Sequence, residues 1–313
     1  MNSEQLTLRI GSRGSQLALW QANFIRQALL DAGHRAEIEI IRTTGDRMQQ
    51  TGFATPANVD GKGIFIKEIE EALEANRIDL AVHSLKDLPV QLAPQFTLAA
   101  IPKRADARDA WVCEQYWALH TLPARGHIGT TSPRRRAQIL ALRPDVVFVD
   151  IRGNIDTRLR KLDEGECDAL VLASAGLDRL GRTEWVHQRF APEELCPSPG
   201  QGALAIETRA SSTERDAAIR KALAFLDHKE TRYAIEAERA TLAALGGGCS
   251  VPIGAHCFAQ SEKWRMIAQV VATDGETMAH VDVETPLSAP AEELGRRVAE
   301  ELKSKGATGL LAV

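Results

Sequence analysis

The chain has 313 residues, of which 44% are hydrophobic and 26% charged, and its formal net charge is -4. That length allows two or three domains with their own cores, and the composition is that of a soluble globular protein. The charge excludes a global basic field for nucleic acid, no apolar run approaches the ~18 residues of a membrane span, and Met1 to Gln5 lacks the basic and apolar regions of an export signal.

Leu6-Thr7-Leu8-Arg9-Ile10 alternates as a strand does, Gly11 to Ser15 is a turn, and Gln16 to Asp31 has helical period. Strand, turn and helix leave free N–H groups at the helix start beside Arg13. That reads either as an anion seat or as an ordinary turn with a solvated arginine. Ala36 to Thr43 alternates again. Gly45 to Gly63 has no period and carries Gly45, Gly52, Pro56, Gly61 and Gly63; a loop this long is expected to be functional, as a lid, or disordered. It is not a phosphate-binding P-loop, because Gly63 follows Lys62. Ile64 to Asn76 predicts an amphipathic helix and Ile78 to Val82 a strand, followed by His83-Ser84-Leu85-Lys86-Asp87-Leu88-Pro89. Ligands of open α/β sheets bind at the carboxyl ends of strands, so Asp87 is the candidate carboxylate. The alternative is a surface aspartate that pairs with Lys86 or caps a turn.

Residues 102 to 109 form a charged link, a candidate crossover. The grammar then repeats: His127 to Ser132 opens a helix from Pro133, Val146 to Val149 is a strand, Gly153 to Glu164 a helix, and Asp168 to Ala173 a strand. Residues 134 to 161 hold eight Lys/Arg against three acids. On a helix Arg134 and Arg135 cannot share one direction with Arg136, so at most two aim into a cleft. Arg136, Arg143 and Arg160 are read as solvated, whereas Arg152 and Arg158 flank a strand-to-helix turn from which both can aim at one anion. Thr130, Thr131 and Ser132 add neutral donors. Nucleic acid as a target lacks the interleaved aromatic platform that stacking needs.

Cys196-Pro197-Ser198-Pro199-Gly200-Gln201-Gly202 is a second break, before a strand from Ala203 to Glu207 and a helix from Thr213. The expected fold class is therefore α/β, with two periplasmic-binding-protein-like lobes around a cleft and a C-terminal α+β domain. Lobe 1 takes residues 1–104 and 200–220, lobe 2 residues 105–199, and the last domain residues 221–313. That last domain reads as a helix from Glu230 to Leu245, a loop, strands Arg265 to Val271 and Met278 to Val283, and a helix from Pro290. In the loop, Gly246-Gly247-Gly248 strips the backbone, Pro252 stiffens the exit and Cys249 is the one thiol. Cys249 is either a reactive thiol or part of a plain helix C-cap turn. The five cysteines are odd in number and scattered, with no CxxC and no HExxH, which argues against a disulfide framework or a metal site and for the reducing cytosol. Cys113, Cys167, Cys196 and Cys257 are read as buried free thiols.

Four stretches together resemble the porphobilinogen deaminase family: Gly247-Gly248-Cys249-Ser250-Val251-Pro252-Ile253-Gly254, Ala81 to Pro89, Arg152-Gly153-Asn154 with Thr157-Arg158, and Gly200-Gln201-Gly202-Ala203. They fall in all three predicted domains in family order, and the resemblance runs through nearly the whole chain. It implies a cytosolic, monomeric transferase of tetrapyrrole synthesis. Such an enzyme joins four porphobilinogen units head to tail, releasing ammonia, and yields hydroxymethylbilane. Growth starts on a dipyrromethane cofactor held as a thioether, here on Cys249. Loss of the aminomethyl nitrogen leaves a soft cationic azafulvene carbon, which a thiol is suited to trap.

The resemblance also assigns residues. Asp87 matches the catalytic carboxylate, and Arg13, Lys86, Arg134, Arg135, Arg152 and Arg158 match carboxylate-binding positions. Ser84, Thr130 and Ser132 join them around the cofactor. Phe65, with Arg13, Arg152 and Arg158, is assigned to the substrate, although by pattern alone Phe65 is a core helix residue. Lys86 and the arginines should lower the pKa of Asp87, so it is expected to be ionised, accepting pyrrole N–H bonds and offsetting the cation; proton shuttling is a second role. Such a pair at ~4 Å and an effective dielectric of ~20 interacts by ~4 kcal/mol. Thr131 and Pro133 stand where the family more often has Ser and Leu, and Pro133 suits a first helical turn. The rival reading is a non-enzymatic two-lobed anion-binding or effector-sensing protein. It explains the repeated lobes and the arginines, but neither the domain with Cys249 nor a carboxylate at the strand end.

Overall fold

A computed structural model describes residues 5–46, 65–246 and 251–311. Most of the predicted Gly45–Gly63 loop, and Cys249 itself, lie outside the described residues. In chain order the strands are β1 (Thr7–Ser12), β2 (Arg35–Ile40), β3 (Leu80–Ser84), β4 (Phe96–Ala100), β5 (Asp109–Val112), β6 (His127–Gly129), β7 (Val147–Val149), β8 (Ala169–Ala173), β9 (Val186–Arg189), β10 (Leu204–Arg209), β11 (Ile253–Gln260), β12 (Lys263–Val271) and β13 (Met278–Pro286). The helices are α1 (Gln16–Asp31), α2 (Lys67–Glu74), α3 (Pro133–Leu142), α4 (Ile155–Asp163), α5 (Ser174–Arg179), α6 (Glu214–Leu223), α7 (Lys229–Ala244), α8 (Ala291–Ser304) and α9 (Ala307–Leu310).

The chain divides into two compact units, Met1–Arg104 with Ala203–Lys229 and Ala105–Gly202 with Glu230–Val313. The first is one α/β lobe. Its sheet runs β2-β1-β3-β10-β4, with β1 parallel to β2 and β3, and β10 antiparallel to β3 and β4. Ala22, Ile25 and Leu29 recur at helical spacing on α1 and pack on Leu8, Ile10, Leu80 and Ile206 of the sheet. Each fully buried Leu or Ile of this kind contributes about 1.5–3 kcal/mol. Ser15 caps α1 by accepting Ala18 N–H at 3.3 Å, so the predicted turn ends where its serine stands.

The second unit contains a second α/β lobe and the C-terminal α+β segment. The lobe's sheet runs β7-β6-β8-β5-β9, with β6 parallel to β7 and β8, and β5 antiparallel to β8 and β9. Trp111 and Phe190 pack on one face of it, Leu170 and Leu172 on the other. The C-terminal sheet is an antiparallel meander, β11-β12-β13, whose apolar side packs Met266, Val270 and Val281 against Leu294, Val298 and Leu302 of α8. Residues 196–200 run between this sheet and α3. Ala255 N–H bonds Pro197 O at 2.9 Å, and a Cβ on Gly254 would lie 2.7 Å from Cys196 O. Only glycine allows that approach.

The elements differ from the sequence reading in a few places. Residues 102 to 109, read as a charged link, end in Asp109, the first residue of the fully buried β5. Strands β4, β5 and β9 were not anticipated, because they are four or five residues long and lack clean alternation. Helix α2 begins at Lys67, so Phe65 precedes it rather than filling its core.

Candidate active site

In the first unit, β3 ends at Ser84, whose Oγ accepts Gln21 Nε2 at 2.8 Å. The chain then makes a single 3-10 turn, Leu85–Asp87. Leu85 N–H bonds Ala203 O at 3.0 Å, and Leu88 N–H bonds Leu85 O at 3.1 Å. Leu85 and Leu88 are buried pegs at i and i+3, and between them Lys86 and Asp87 remain half-exposed. The turn therefore anchors the apolar side chains and presents the charged ones.

Arg13 and Phe65 come together. The Arg13 guanidinium lies 3.8 Å from the centre of the Phe65 ring and pairs with Asp46 at 2.6 Å. Burial alone would raise the Asp46 carboxyl, but bonds from Arg13 and Thr43 hold it below the ordinary carboxylate range. The ring occupies the space that any side chain on Gly45 would need. Phe65 is half-buried and stacked on a cation.

In the second unit the polar groups gather after β6 and around Asp109. Thr130 is buried; its Oγ1 accepts Ser132 N–H at 3.2 Å, and its carbonyl accepts Arg136. Ser132 caps α3 by accepting Arg135 N–H, with Pro133 at the first position of the helix. Arg134 and Arg135 both turn inward onto the fully buried Asp109, at 2.7 Å each, and Gln201 Nε2 donates to the same carboxylate at 3.0 Å. Burial pushes the Asp109 carboxyl up, but the two guanidiniums outweigh it and hold it at about 2. Arg136 points elsewhere, onto Thr130 O and Asp150, as helical geometry requires.

Arg158 has a different environment. It is half-buried, its Nε donates to Gly153 O at 2.8 Å, and among the described residues no carboxylate forms an ion pair with it. Burial first, and then the nearby Arg135 charge, lower its pKa to about 10. Gly153 has φ 118° and lies too close to Thr157 for a side chain, while Asn154 caps α4 by accepting Thr157 N–H at 2.9 Å. Arg152, on the other side of this turn, is exposed and stands 3.9 Å from Asp150.

Sequence reasoning missed Asp109 and Asp46, which hold the arginines it selected, and the role of Gln201, which donates to Asp109. Asp109 was hidden in a charged stretch; the signal was the apolar Ala110-Trp111-Val112 run behind it. Cys249 lies outside the described residues, but its flanks are visible. Gly246 closes α7 at φ 66°, and Ile253 begins β11. Cys113, Cys167, Cys196 and Cys257 are buried free thiols, as expected. Among the described residues no helix is long and apolar enough to cross a membrane.

Comparison with known proteins adds to this geometry. Residues 8–217 match the family model "porphobilinogen deaminase, dipyromethane cofactor binding domain", and residues 232–304 match the model of the C-terminal domain of porphobilinogen deaminase. A porphobilinogen deaminase of Roseiflexus sp. (strain RS-1) is 45% identical over 309 residues, covering 98% of this chain and 99% of its own. That of Pelobacter propionicus is 43% identical over 306 residues, covering 97% and 96%. Among solved structures, that of the methionine-binding protein MetQ overlaps 69% of this chain and 89% of its own at 12% identity, with a TM-score of 0.44. The two-lobed architecture rests on the matching strand orders themselves.

Proposed function

The chain belongs to the porphobilinogen deaminase family, and from that premise we propose which residues perform the family's reaction. The protein is a transferase, hydroxymethylbilane synthase, that condenses porphobilinogen with release of ammonia in tetrapyrrole biosynthesis, and its cofactor is a dipyrromethane. The rival reading, a non-enzymatic anion-binding protein, falls with that membership.

The donor set fits such a cofactor, which carries acetate and propionate groups. Arg134 and Arg135 share the one carboxylate of Asp109, and Arg158 has no acidic ion pair among the described residues. Cations therefore outnumber acids in this part of the second unit, and this observation carries the assignment. Cys249 Sγ holds the cofactor as a thioether. Arg134, Arg135, Arg152 and Arg158 bind carboxylates from the second unit, with Thr130 and Ser132 as neutral donors; Arg13, Ser84 and Lys86 do so from the first. Each charge-assisted bond of this kind contributes about 1.5–3 kcal/mol. When bound, the dipyrromethane supplies the nucleophilic pyrrole carbon at which the chain lengthens.

Asp87 accepts the pyrrole N–H of the incoming porphobilinogen and offsets the positive carbon exposed as ammonia leaves. Its place on a turn pinned by Leu85 and Leu88 supports that role, because a preorganised charge needs no reorganisation at the moment of reaction. Arg13 orients a substrate carboxylate, and the Phe65 ring on which it stacks lies against the pyrrole. Arg152 and Arg158 take part in substrate binding as well. We divide the chain into three domains, residues 1–104 with 200–220, 105–199, and 221–313, the last carrying Cys249; the separate core of the C-terminal sheet supports this. The enzyme works in the cytosol as a monomer.

Intact-mass measurement of protein purified from cells tests the assignment. An adduct of two pyrrole units on wild-type protein, absent from Cys249→Ser, is the expected result. An unmodified wild-type chain that turns over normally contradicts it.

A further inference from the structure

Glu238 is fully buried in the middle of α7, and nothing in the reaction uses it. Its two oxygens point to two different segments. Oε2 accepts the N–H of Gly200 at 2.7 Å, and Oε1 accepts the N–H of Cys257, on β11, at 2.9 Å. The His256 Nδ1 atom lies 3.5 Å from Oε1. A buried charge is costly unless it is well bonded, so the choice of residue needs a reason. An ionised carboxylate has two acceptor oxygens and no donor. It is the one side-chain group that accepts backbone N–H bonds from two segments without presenting a donor to either.

Those two segments border the parts of the site that must be aligned. Helix α7 ends shortly before Cys249 in the chain and β11 begins shortly after it, so the bond from Cys257 to Glu238 ties these two flanks together. The other segment is Gly200-Gln201-Gly202. Gly200 and Gly202 have φ 77° and 86°, and a Cβ on Gly202 would sit 2.7 Å from Ala105 O, which explains both glycines. Gln201 between them is buried and donates to Ala107 O and to Asp109, the carboxylate that holds Arg134 and Arg135. An unbroken chain of bonds thus runs from Cys257 on β11 through Glu238, Gly200 and Gln201 to Asp109 and the arginine pair.

We infer that Glu238 is a positioning residue that fixes the two flanks of the Cys249 segment, helix α7 and strand β11, to Gly200-Gln201 and through Asp109 to Arg134 and Arg135. This rests on the reading of Cys249 as the cofactor anchor. Glu238→Gln keeps the shape and one acceptor but turns a donor toward one of the two amides.

The test compares apo-protein of the wild type, Glu238→Gln and Gln201→Leu in two reactions of Cys249, each followed by peptide-resolved mass spectrometry. One is loading of the dipyrromethane on incubation with porphobilinogen; the other is alkylation by iodoacetamide, which needs an accessible thiol but no alignment. Loading is expected to slow by about tenfold or more in both variants, the fold-change that losing one charge-assisted bond corresponds to. Alkylation of Cys249 is expected to stay within about threefold of the wild type, and Cys113, Cys167, Cys196 and Cys257 to remain unreactive. Loading at the wild-type rate in Glu238→Gln overturns the inference. So does alkylation of all five cysteines in that variant, which would make Glu238 a general support of the fold. A wild-type adduct on some residue other than Cys249 instead overturns the anchor reading beneath it.

Discussion

The two α/β lobes are alike at the amino ends of their strands and unlike at the carboxyl ends. At the amino ends, Asp79 and Asp168 occupy the same place, just before β3 and β8. Asp79 accepts Arg9 N–H at 2.9 Å and gives its own N–H to Arg9 O; Asp168 accepts His127 N–H at 2.7 Å and gives its N–H to His127 O. At the carboxyl ends the lobes diverge. After β3 the first lobe makes a short turn that presents Lys86 and Asp87, whereas after β8 the second continues into α5, whose Ser174, Ala175 and Gly176 are buried. After β1 the arginine precedes the helix cap and stacks on Phe65; after β6 two arginines follow the cap and are buried on Asp109. Equivalent frames thus carry different chemistry. One supplies a presented acid and the other an excess of buried cations, as expected when function is grafted on the strand ends of a shared scaffold.

The contrast breaks most sharply at Asp109. Asp109→Ala leaves two guanidiniums buried without their shared partner and is expected to cost about 3–5 kcal/mol of stability, read by denaturant unfolding. The same carboxylate has a pH signature. Its folded pKa, about 2, lies below the ordinary 3.8, so its contribution is complete above about pH 4 and is lost as pH falls through 2. That loss amounts to roughly 2 kcal/mol. Acid unfolding of wild-type protein should show it, and unfolding of the alanine variant should not.

Arg158 sharpens the comparison in the opposite direction. Burial and the Arg135 charge lower its pKa, so Arg158 stays protonated at neutral pH but holding its charge costs stability relative to the unfolded chain. Arg158→Leu is expected to leave the unfolding midpoint unchanged or raised. Cofactor loading, followed by intact mass, should slow by about 10- to 100-fold, the equivalent of one lost charge-assisted bond. An arginine with only a structural role would show the reverse pair of effects. The smallest effect belongs to the first lobe's stack. Phe65→Leu removes a cation–π contact of about 0.5–2 kcal/mol, and KM for porphobilinogen should rise several-fold with kcat little changed.

Much of this was legible in the sequence, for identifiable reasons. The helices α1, α3, α4 and α7 announce themselves through apolar spacing and through Ser15, Ser132 and Asn154 at caps. The Lys86-Asp87 and Arg152 to Arg158 motifs stand at strand ends, where alternation stops and polar residues crowd. What sequence order could not show was which acid each cation meets. Arg134 is 25 residues from Asp109 in the chain and Arg13 is 33 from Asp46, so their pairing depends on β5 lying beside β8 and on how residues 41–46 fold back. The buried Glu238 was equally invisible, because within α7 it reads as one more polar helix residue. Short, doubly buried strands such as β5 carry no alternation, and so their positions appear only with the fold.

The central claim is a division of labour, in which Asp87 acts on the reaction and the cations, most of them in the second unit, hold what is tethered. It is tested most directly by purifying Asp87→Asn and measuring its cofactor occupancy and single-turnover rate together. Full dipyrromethane occupancy with a rate lower by about 10³-fold is expected, the equivalent of losing ~4 kcal/mol of charge stabilisation. Near-normal turnover of Asp87→Asn, or a fall in cofactor occupancy matching the fall in rate, would contradict it.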